Sequence, residues 1–453
     1  MKRLAMDALC KWVNSPSRKP LLITGARQVG KTWLMREFGR TRFERTAYIS
    51  FDNNEHMPAV FEGSLSPSRL IPILQIEAGC VIDEHTLLIL DEVQEVPRAL
   101  QSLKYFCEEA PEIPVVAAGS SLGLSLKGRK GGDSSVRLED TRRVSFPVGK
   151  VTFLDLYPLT FLEFLLSIGQ NLLAESVEAL DWSTLEAFHG QLNELLRMYL
   201  YVGGMPEAVK RYTEERDLLS VRDTQRDLLR AYENDFSKYA PNDLAERIRL
   251  VWRAIPANLA KENRKFMFSK VGKSARAREY EDALQWLFDS SLAYQVRCVS
   301  SPETPLASHE EHAVFKVYLS DVGLLGALNN LDARTLLEEN SLFSSYKGSL
   351  AEQLALQEIL AAGQVDGAHY YKNEKTRSEV DFLVDGNRLM PAAIPIEVKS
   401  GENLQAKSLT AYIKKYRPDL AIRCSLRRHS IDGVLEEVPL YALGAYFRKR
   451  IAG

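Results

Sequence analysis

Gly25-Ala26-Arg27-Gln28-Val29-Gly30-Lys31-Thr32 decides how the first part of this chain is read. The stretch fits the pattern GxxxxGK[ST]. It follows the apolar run Leu21-Leu22-Ile23-Thr24 and leads into helical spacing from Lys31 to Phe38, which is the context that gives the pattern meaning. The two glycines let the backbone curl so that successive N–H groups point inward at phosphate oxygens, while the following helix offers its positive end. A chance glycine-rich turn would lack both flanks. In such a cradle the segment from Gly25 through Ala26, Arg27, Gln28 and Val29 to Gly30 surrounds the phosphates of ATP. Lys31 is expected to neutralise the β and γ phosphates, and the Thr32 hydroxyl to hold Mg²⁺.

A second stretch completes this reading. Leu87-Leu88-Ile89-Leu90-Asp91-Glu92 is an apolar strand that delivers two acids at its C-terminal end, where open α/β sheets place their ligands. Asp91 is expected to act on the metal through its water shell, and Glu92 to orient and polarise the attacking water. Two adjacent carboxylates at a strand end can also be a solvated turn, but the upstream lysine argues for the catalytic reading.

Working outward, Ala47 to Phe51 and Val115 to Ala118 are further short apolar strands of a doubly covered parallel sheet, and Val151 to Leu156 is one more. The stretch Ser125 to Pro147 carries Lys127, Gly128, Arg129, Lys130, Gly131 and Gly132 and reads as a basic loop. Apolar residues at helical spacing then fill Leu159 to Gln170 and Leu185 to Tyr239. Residues 240–328 follow the order helix, basic turn, helix, strand, strand, which suits a winged helix. A last α/β unit opens with a helix from Tyr346 to Ala362. The expected division is 1–165 for the ATPase core, 166–240 for a helical lid or connector, 241–330 for a winged-helix-like domain and 331–453 for the last unit.

The chain has 453 residues, too many for one hydrophobic core. Its 45% apolar and 26% charged composition excludes collagen-like and disordered classes, and a net charge of -2 neither requires nor excludes a nucleic-acid partner. Five scattered cysteines form no CxxC pair, so neither a disulfide framework nor a zinc knuckle is expected. Seven scattered histidines suggest no zinc either. The first residues turn charged before any signal-peptide core could form, and no apolar run approaches the roughly 20 residues that cross a bilayer, so a cytoplasmic location is expected.

In the last unit, Asp381 lies in the strand Val380 to Val384, and Glu397 and Lys399 alternate on Ile396 to Lys399, hence on one face. Glu352 comes from the preceding helix. This helix, strand and ExK order looks like the PD-(D/E)xK nuclease core. There Asp381 and Glu397 would bind Mg²⁺, Glu352 would complete the metal shell, and Lys399 would steady the attacking water or the scissile phosphate. Glu379, two residues before Asp381, offers a further ligand or simply more negative charge. The alternatives are a solvated strand of alternating charges, or a nuclease-like fold retained only to bind.

Together these residues resemble a bacterial and archaeal family of AAA-type ATPases that carry a restriction-endonuclease-like C-terminal domain. The resemblance spans nearly the whole chain. It rests on Gly25 to Thr32, Leu90-Asp91-Glu92-Val93-Gln94, Gly119-Ser120-Ser121, Leu156 to Phe164, Tyr201 to Glu207, Tyr318 to Leu325 and Ile396 to Gly401. It implies an α/β fold in which an AAA-type P-loop core is followed by a helical lid, a winged-helix-like middle domain and the endonuclease-like unit. It also implies a γ-phosphate sensor at Ser120, although serines after a strand commonly cap the next helix. Many members carry Gly-Arg where this chain has Gly149-Lys150, so no arginine is fixed there. Arg27, Arg129, Arg142 and Arg143 remain candidate fingers. Because such sites are often completed by a neighbour's arginine, a homo-oligomer stays open.

Two basic groups point to nucleic acid, DNA in the first place. Lys261, Arg264, Lys265, Lys270, Lys273, Arg276 and Arg278 stand against the single acid Glu262, and Lys414, Lys415, Arg417, Arg423, Arg427 and Arg428 lie in the last unit. A solvated face is the bland reading of each. Two functions follow: an ATP-driven enzyme acting on nucleic acid with a metal-dependent nuclease, or an ATP-controlled switch whose last domain binds DNA or a protein without cutting.

Overall fold

The structure, a computed structural model, describes residues 2–119, 146–260, 265–272, 276–333, 344–363, 367–373, 378–399 and 407–451. The chain forms two compact units, one of Arg3–Leu156 with the short piece Asp289–Ser291, the other of Tyr157–Phe288 and Leu292–Gly453.

In the first unit the apolar runs become a parallel five-stranded sheet: β1 (Leu21–Thr24), β2 (Arg45–Ser50), β3 (Thr86–Asp91), β4 (Val115–Ala118) and β5 (Thr152–Asp155), in the order β2-β3-β4-β1-β5. Every residue of β3 and β4 is buried, as strands covered on both faces require. Leu88 and Leu90 of β3 and Ala117 of β4 pack in one core with Phe61, Leu74 and Phe106 from the helices Met57–Glu62, Pro67–Ala78 and Pro97–Glu109. Because β4 lies between β1 and β3, pairing Ala118 with both Ile23 and Asp91, its C-terminal end opens between the phosphate loop and the acids. Gly25 sits at φ +135°, and a Cβ there would come 2.2 Å from the Leu156 carbonyl oxygen, so the loop passes closer to the chain after β5 than any other residue permits.

The second unit combines a helical part with a mixed sheet. Helix Phe161–Ser167 starts with a capping box between Thr160 and Glu163, and its Phe161 N–H donates to Glu358 Oε1 at 2.7 Å. The helices His189–Val202, Pro206–Glu215, Leu218–Tyr239, Asn242–Leu259 and Ala277–Asp289 follow. Two of the sequence motifs meet here. The Asp321 carboxylate accepts N–H bonds from Gly204 at 2.6 Å and from Leu324 at 2.9 Å, and Gly203, at φ +72°, leaves room for it: a Cβ there would lie 2.3 Å from Asp321 Oδ1.

The sheet has eight strands: β6 (Ala293–Val299), β7 (Glu310–Leu319), β8 (His369–Lys372), β9 (Glu379–Val384), β10 (Ile394–Val398), β11 (Ala421–Ser425), β12 (Ser430–Asp432) and β13 (Leu435–Pro439), in the order β12-β13-β11-β10-β9-β8-β6-β7. β6 pairs antiparallel with β7 and parallel with β8. The two strands read as the wing of a separate domain thus belong to the sheet of the last unit, which crosses residue 330, where the sequence reading set a boundary. Helix Ser344–Ala361 packs on this sheet, carrying the buried Glu352.

All five cysteines are free. Among the described residues no helix is long and apolar enough to cross a membrane.

Candidate nucleotide site and C-terminal acidic cluster

The phosphate loop runs from β1 to the helix Lys31–Arg42, which opens on Gly30 at φ +98°. Its lysine is folded back into the loop. Lys31 Nζ donates to the carbonyl oxygens of Gly25 and Ala26 at 2.8 and 2.9 Å. Burial pushes its ammonium down to about 8, although Glu92 and Asp91 pull the other way. A buried cation resting on two carbonyls beside two carboxylates is poised for an anion.

The acids stand at the end of β3. Asp91 Oδ2 accepts the Thr32 hydroxyl at 2.7 Å and the Tyr48 hydroxyl at 2.9 Å, and Oδ1 accepts the Glu92 N–H at 3.1 Å. Burial raises the Asp91 carboxyl, and the bonds from Thr32 and Tyr48 work against the rise. Thr32 and Asp91 thus present hard oxygens side by side, a donor set that fits Mg²⁺ held by the threonine and, through water, by the aspartate. Glu92 adopts the left-handed conformation at φ 55°, half-buried, and accepts a hydrogen bond from Gln94 Nε2 at 2.5 Å. A non-glycine residue in that region costs about 1–3 kcal/mol and is met disproportionately at functional sites.

Of the other residues singled out, Arg27 is half-buried in the loop itself and close enough to Lys31 to disfavour its charge. Ser120, Ser121, Arg129, Arg142 and Arg143 lie outside the described residues. Lys150, which follows Gly149 at the start of the chain into β5, is ion-paired with Glu108 at 2.8 Å. The sequence reading missed Tyr48. The sequence holds no local signal for it: its place beside Asp91 comes from β2 and β3 running in register from Arg45↔Thr86 to Ser50↔Asp91. Arg36 lies over the Tyr48 ring at 3.8 Å and helps to fix it.

In the second unit, Asp381 of β9 and Glu397 of β10 are both buried. Asp381 Oδ2 accepts the Val398 N–H at 2.8 Å, Glu352 Oε2 accepts the Tyr318 hydroxyl at 3.0 Å, and Glu397 Oε1 is ion-paired with Lys399 Nζ at 2.5 Å. Glu397 Oε2 is buried without a hydrogen-bond partner. Burial, with Asp381 adding to it, raises the Glu397 carboxyl to about 7 against the pull of Lys399. A residue that the sequence reading left as one more strand position joins this group. Lys316 of β7 is wholly buried, ion-paired with Glu379 at 2.7 Å, and lies over the Tyr370 ring at 4.6 Å. Burial opposes its charge, but Glu379, Glu352 and Asp381 outweigh burial and hold the ammonium above its ordinary value. Glu352, Asp381 and Glu397 were expected to share one metal shell. Among the described residues no three His, Cys, Asp or Glu side chains stand grouped to hold a metal ion, and the Lys316 ammonium is paired with the neighbouring Glu379.

The basic groups are partly in view. Lys270, Arg276 and Arg278 are exposed and Lys265 half-buried, while Lys261, Arg264 and Lys273 lie outside the described residues. Phe266 is buried and stacks on Phe315, anchoring that segment in the core. Lys414, Lys415, Arg417, Arg427 and Arg428 are exposed. Arg423 instead is ion-paired with the buried Glu437 at 2.5 Å, which removes it from the basic face.

Residues 17–165 match a family described as an AAA domain. Residues 193–335 and 347–443 match two families described as domains of unknown function, DUF8612 and DUF4143. No curated protein matches the chain. Solved structures similar to it include the Walker-type ATPase PABY2304 of Pyrococcus abyssi, at 16% identity, 73% of this chain, 95% of the other and a TM-score of 0.44. They also include the ORC1 protein of Aeropyrum pernix in complex with DNA, at 13% identity, 72% of this chain, 91% of the other and a TM-score of 0.27. DnaA of Aquifex aeolicus bound to AMPPCP has 14% identity, 63% and 86% coverage and a TM-score of 0.26. The family match and the parallel sheet that carries the phosphate loop make the first unit an AAA-type P-loop ATPase core.

Proposed function

We propose that this chain binds ATP with Mg²⁺ and hydrolyses it in the first unit, and that the nucleotide state governs a nucleic-acid-binding, endonuclease-like second unit. The observation that carries the reading is the joining of the two halves of the site: Thr32 bonded to Asp91, Lys31 buried above the loop, and Glu92 held beside them. Mg²⁺, when bound at Thr32 and Asp91, would supply positive charge to offset that of the phosphates. Around it, the loop N–H groups from Gly25 to Gly30 would cradle the phosphates, and Lys31 would leave its two carbonyls to meet the transferred charge. Glu92 would accept a hydrogen bond from the attacking water and align it with the γ phosphorus. Ser120 remains the proposed γ-phosphate sensor.

For the second unit, the exposed basic side chains on and after the helix Lys407–Tyr416, together with Lys270, Arg276 and Arg278, favour contact with a phosphate backbone, DNA first. A nuclease built on Asp381, Glu397, Glu352 and Lys399 is one reading of the acidic cluster. The pairing of Glu397 with Lys399 and of the neighbouring Glu379 with the buried Lys316 favours the other, in which the unit binds DNA or a protein partner and does not cut. Mg²⁺-dependent ATP hydrolysis and plasmid nicking, measured together for the wild type and for Lys31→Ala, test the whole. ATP turnover lost in Lys31→Ala, with no nicking by either chain, establishes the switch. Nicking that disappears in Asp381→Ala establishes the nuclease, and no ATP turnover in the wild type removes the reading altogether.

A further inference from the structure

Lys316 reaches the acidic cluster from outside every motif that suggests a nuclease. It stands on β7, the edge strand of the eight-stranded order, while Glu379 and Asp381 stand on β9. The two strands between them are β6 and β8, so the Lys316 and Glu379 side chains reach toward each other across the sheet, and the ammonium lies over the Tyr370 ring of β8 where it meets Glu379. Lys316 and Tyr318 alternate onto the same face, and Tyr318 binds Glu352. One strand thus supplies both a cation and a hydroxyl to these acids.

A fully buried ammonium is expensive unless it is paired, and here its surroundings compensate: one direct carboxylate, two more nearby and an aromatic face. Lys399, half-buried, is ion-paired with Glu397. Four carboxylates, Glu352, Glu379, Asp381 and Glu397, are therefore accompanied by two ammonium groups, that of Lys316 wholly buried and that of Lys399 half-buried. A divalent ion entering this group would meet a fixed positive charge, in surroundings where water screens little.

We propose that Lys316 is the resident cation of this cluster, standing in for a divalent metal, and that the second unit consequently binds Mg²⁺ or Mn²⁺ weakly and works without it. The proposal deepens the switch reading of the second unit and rests on that reading in taking these acids as its site.

The test is a Mn²⁺ titration of the full, nucleotide-free chain, followed by the electron paramagnetic resonance signal of free Mn²⁺. Wild type and Asp381→Asn are expected to bind alike, because any Mn²⁺ taken up at the phosphate loop is indifferent to Asp381. Lys316→Met is expected to gain a site tighter by about tenfold or more, and Lys316→Met with Asp381→Asn to lose it again. A wild-type site that Asp381→Asn weakens overturns the proposal, as does a folded Lys316→Met chain that gains none. If Lys316→Met does not fold, the comparison of wild type with Asp381→Asn decides alone. A gel-shift with a duplex oligonucleotide, run on the same samples, reports separately on nucleic-acid binding, so the failure of one reading is not mistaken for that of the other.

Discussion

The Thr32 hydroxyl donates to Asp91 Oδ2 at 2.7 Å, joining residues 59 positions apart and so tying the phosphate loop to the strand that bears the acids. Tyr48 donates to the same oxygen and the Glu92 N–H to the other, so the aspartate is fixed in orientation before any nucleotide arrives. Groups held in this way need not reorganise when charge develops, which is the property that electrostatic catalysis requires.

Lys31→Ala is expected to lower the rate of ATP hydrolysis by about a hundredfold or more, because the loop loses its only buried cation facing the acids. Glu92→Gln should lower kcat by about 10²–10⁴-fold while leaving nucleotide affinity little changed, since the glutamate acts on water and not on ATP. Phosphate release at saturating ATP, paired with equilibrium binding of a fluorescent nucleotide, checks both. A Glu92→Gln chain that turns over at the wild-type rate would remove Glu92 from the chemistry.

Nucleotide binding should take up protons near pH 8. Burial holds free Lys31 down to about 8, so a large fraction of the chains carries a neutral amine there, and phosphate oxygens favour the ammonium. Uptake should be greatest at and above pH 8 and fade toward pH 6, where Lys31 is already charged. Calorimetric titration in two buffers of different ionisation enthalpy measures it. Lys31→Met should show none of this component in whatever binding remains.

Glu358 makes stability depend on pH in a defined direction. Its carboxyl is wholly buried and is raised by that burial to about 7, with the bond from Phe161 N–H and the charge of Arg448 limiting the rise. The folded value thus lies above the unfolded one near 4.5, and the folded state holds the proton more tightly. The contribution of this proton is complete below about pH 4.5 and is lost as pH rises through 7. Glu358→Gln keeps an acceptor for Phe161 but does not titrate. The stability of the wild type relative to the variant should therefore fall by on the order of 3 kcal/mol between pH 4.5 and 8, read from urea unfolding at each pH. A difference that stays constant with pH would refute the linkage.

Asp321→Ala removes the acceptor for two buried N–H groups, those of Gly204 and Leu324. At about 1–3 kcal/mol for each donor left without a partner, the second unit should lose roughly 2–6 kcal/mol. The urea midpoint of that unit should drop accordingly, while ATP binding by the first unit survives. The first unit's nucleotide affinity is therefore the internal control.

The nucleotide site was legible in the sequence because its signals are local. Gly25 and Gly30 adopt positive φ within one loop, Lys31 and Thr32 follow directly, and Asp91 and Glu92 end a run that is buried throughout. Tyr48 was not legible, because its role depends on which strand neighbours β3, and sheet order is set by long-range packing. The same reason hid the fate of β6 and β7. Their alternation announces strands but does not say what they pair with, and the family pattern suggested a wing where the chain builds two strands of a larger sheet. Lys316 was missed on physical grounds: a lysine on a strand is ordinarily solvated, and only the surrounding carboxylates, from residues distant in sequence, make its burial tolerable. Arg423 misled in the opposite way, since a basic residue amid other basic residues gave no sign of the buried Glu437 across the β11–β13 pair.

The seating of β6 and β7 beside β8 also sets an order of events during synthesis. The hairpin leaves the ribosome well before β8 to β13, with the helix Ser344–Ala361 in between. A two-stranded hairpin alone is marginally stable in water, so it waits with one edge unpaired and with Lys316 still hydrated. Only when β8 and β9 arrive does that edge close and the lysine leave water for Glu379. The oldest pair thus joins the sheet only after later strands have emerged, and a nascent chain halted in the low 360s would display an open edge to whatever chaperone or neighbouring chain reached it first.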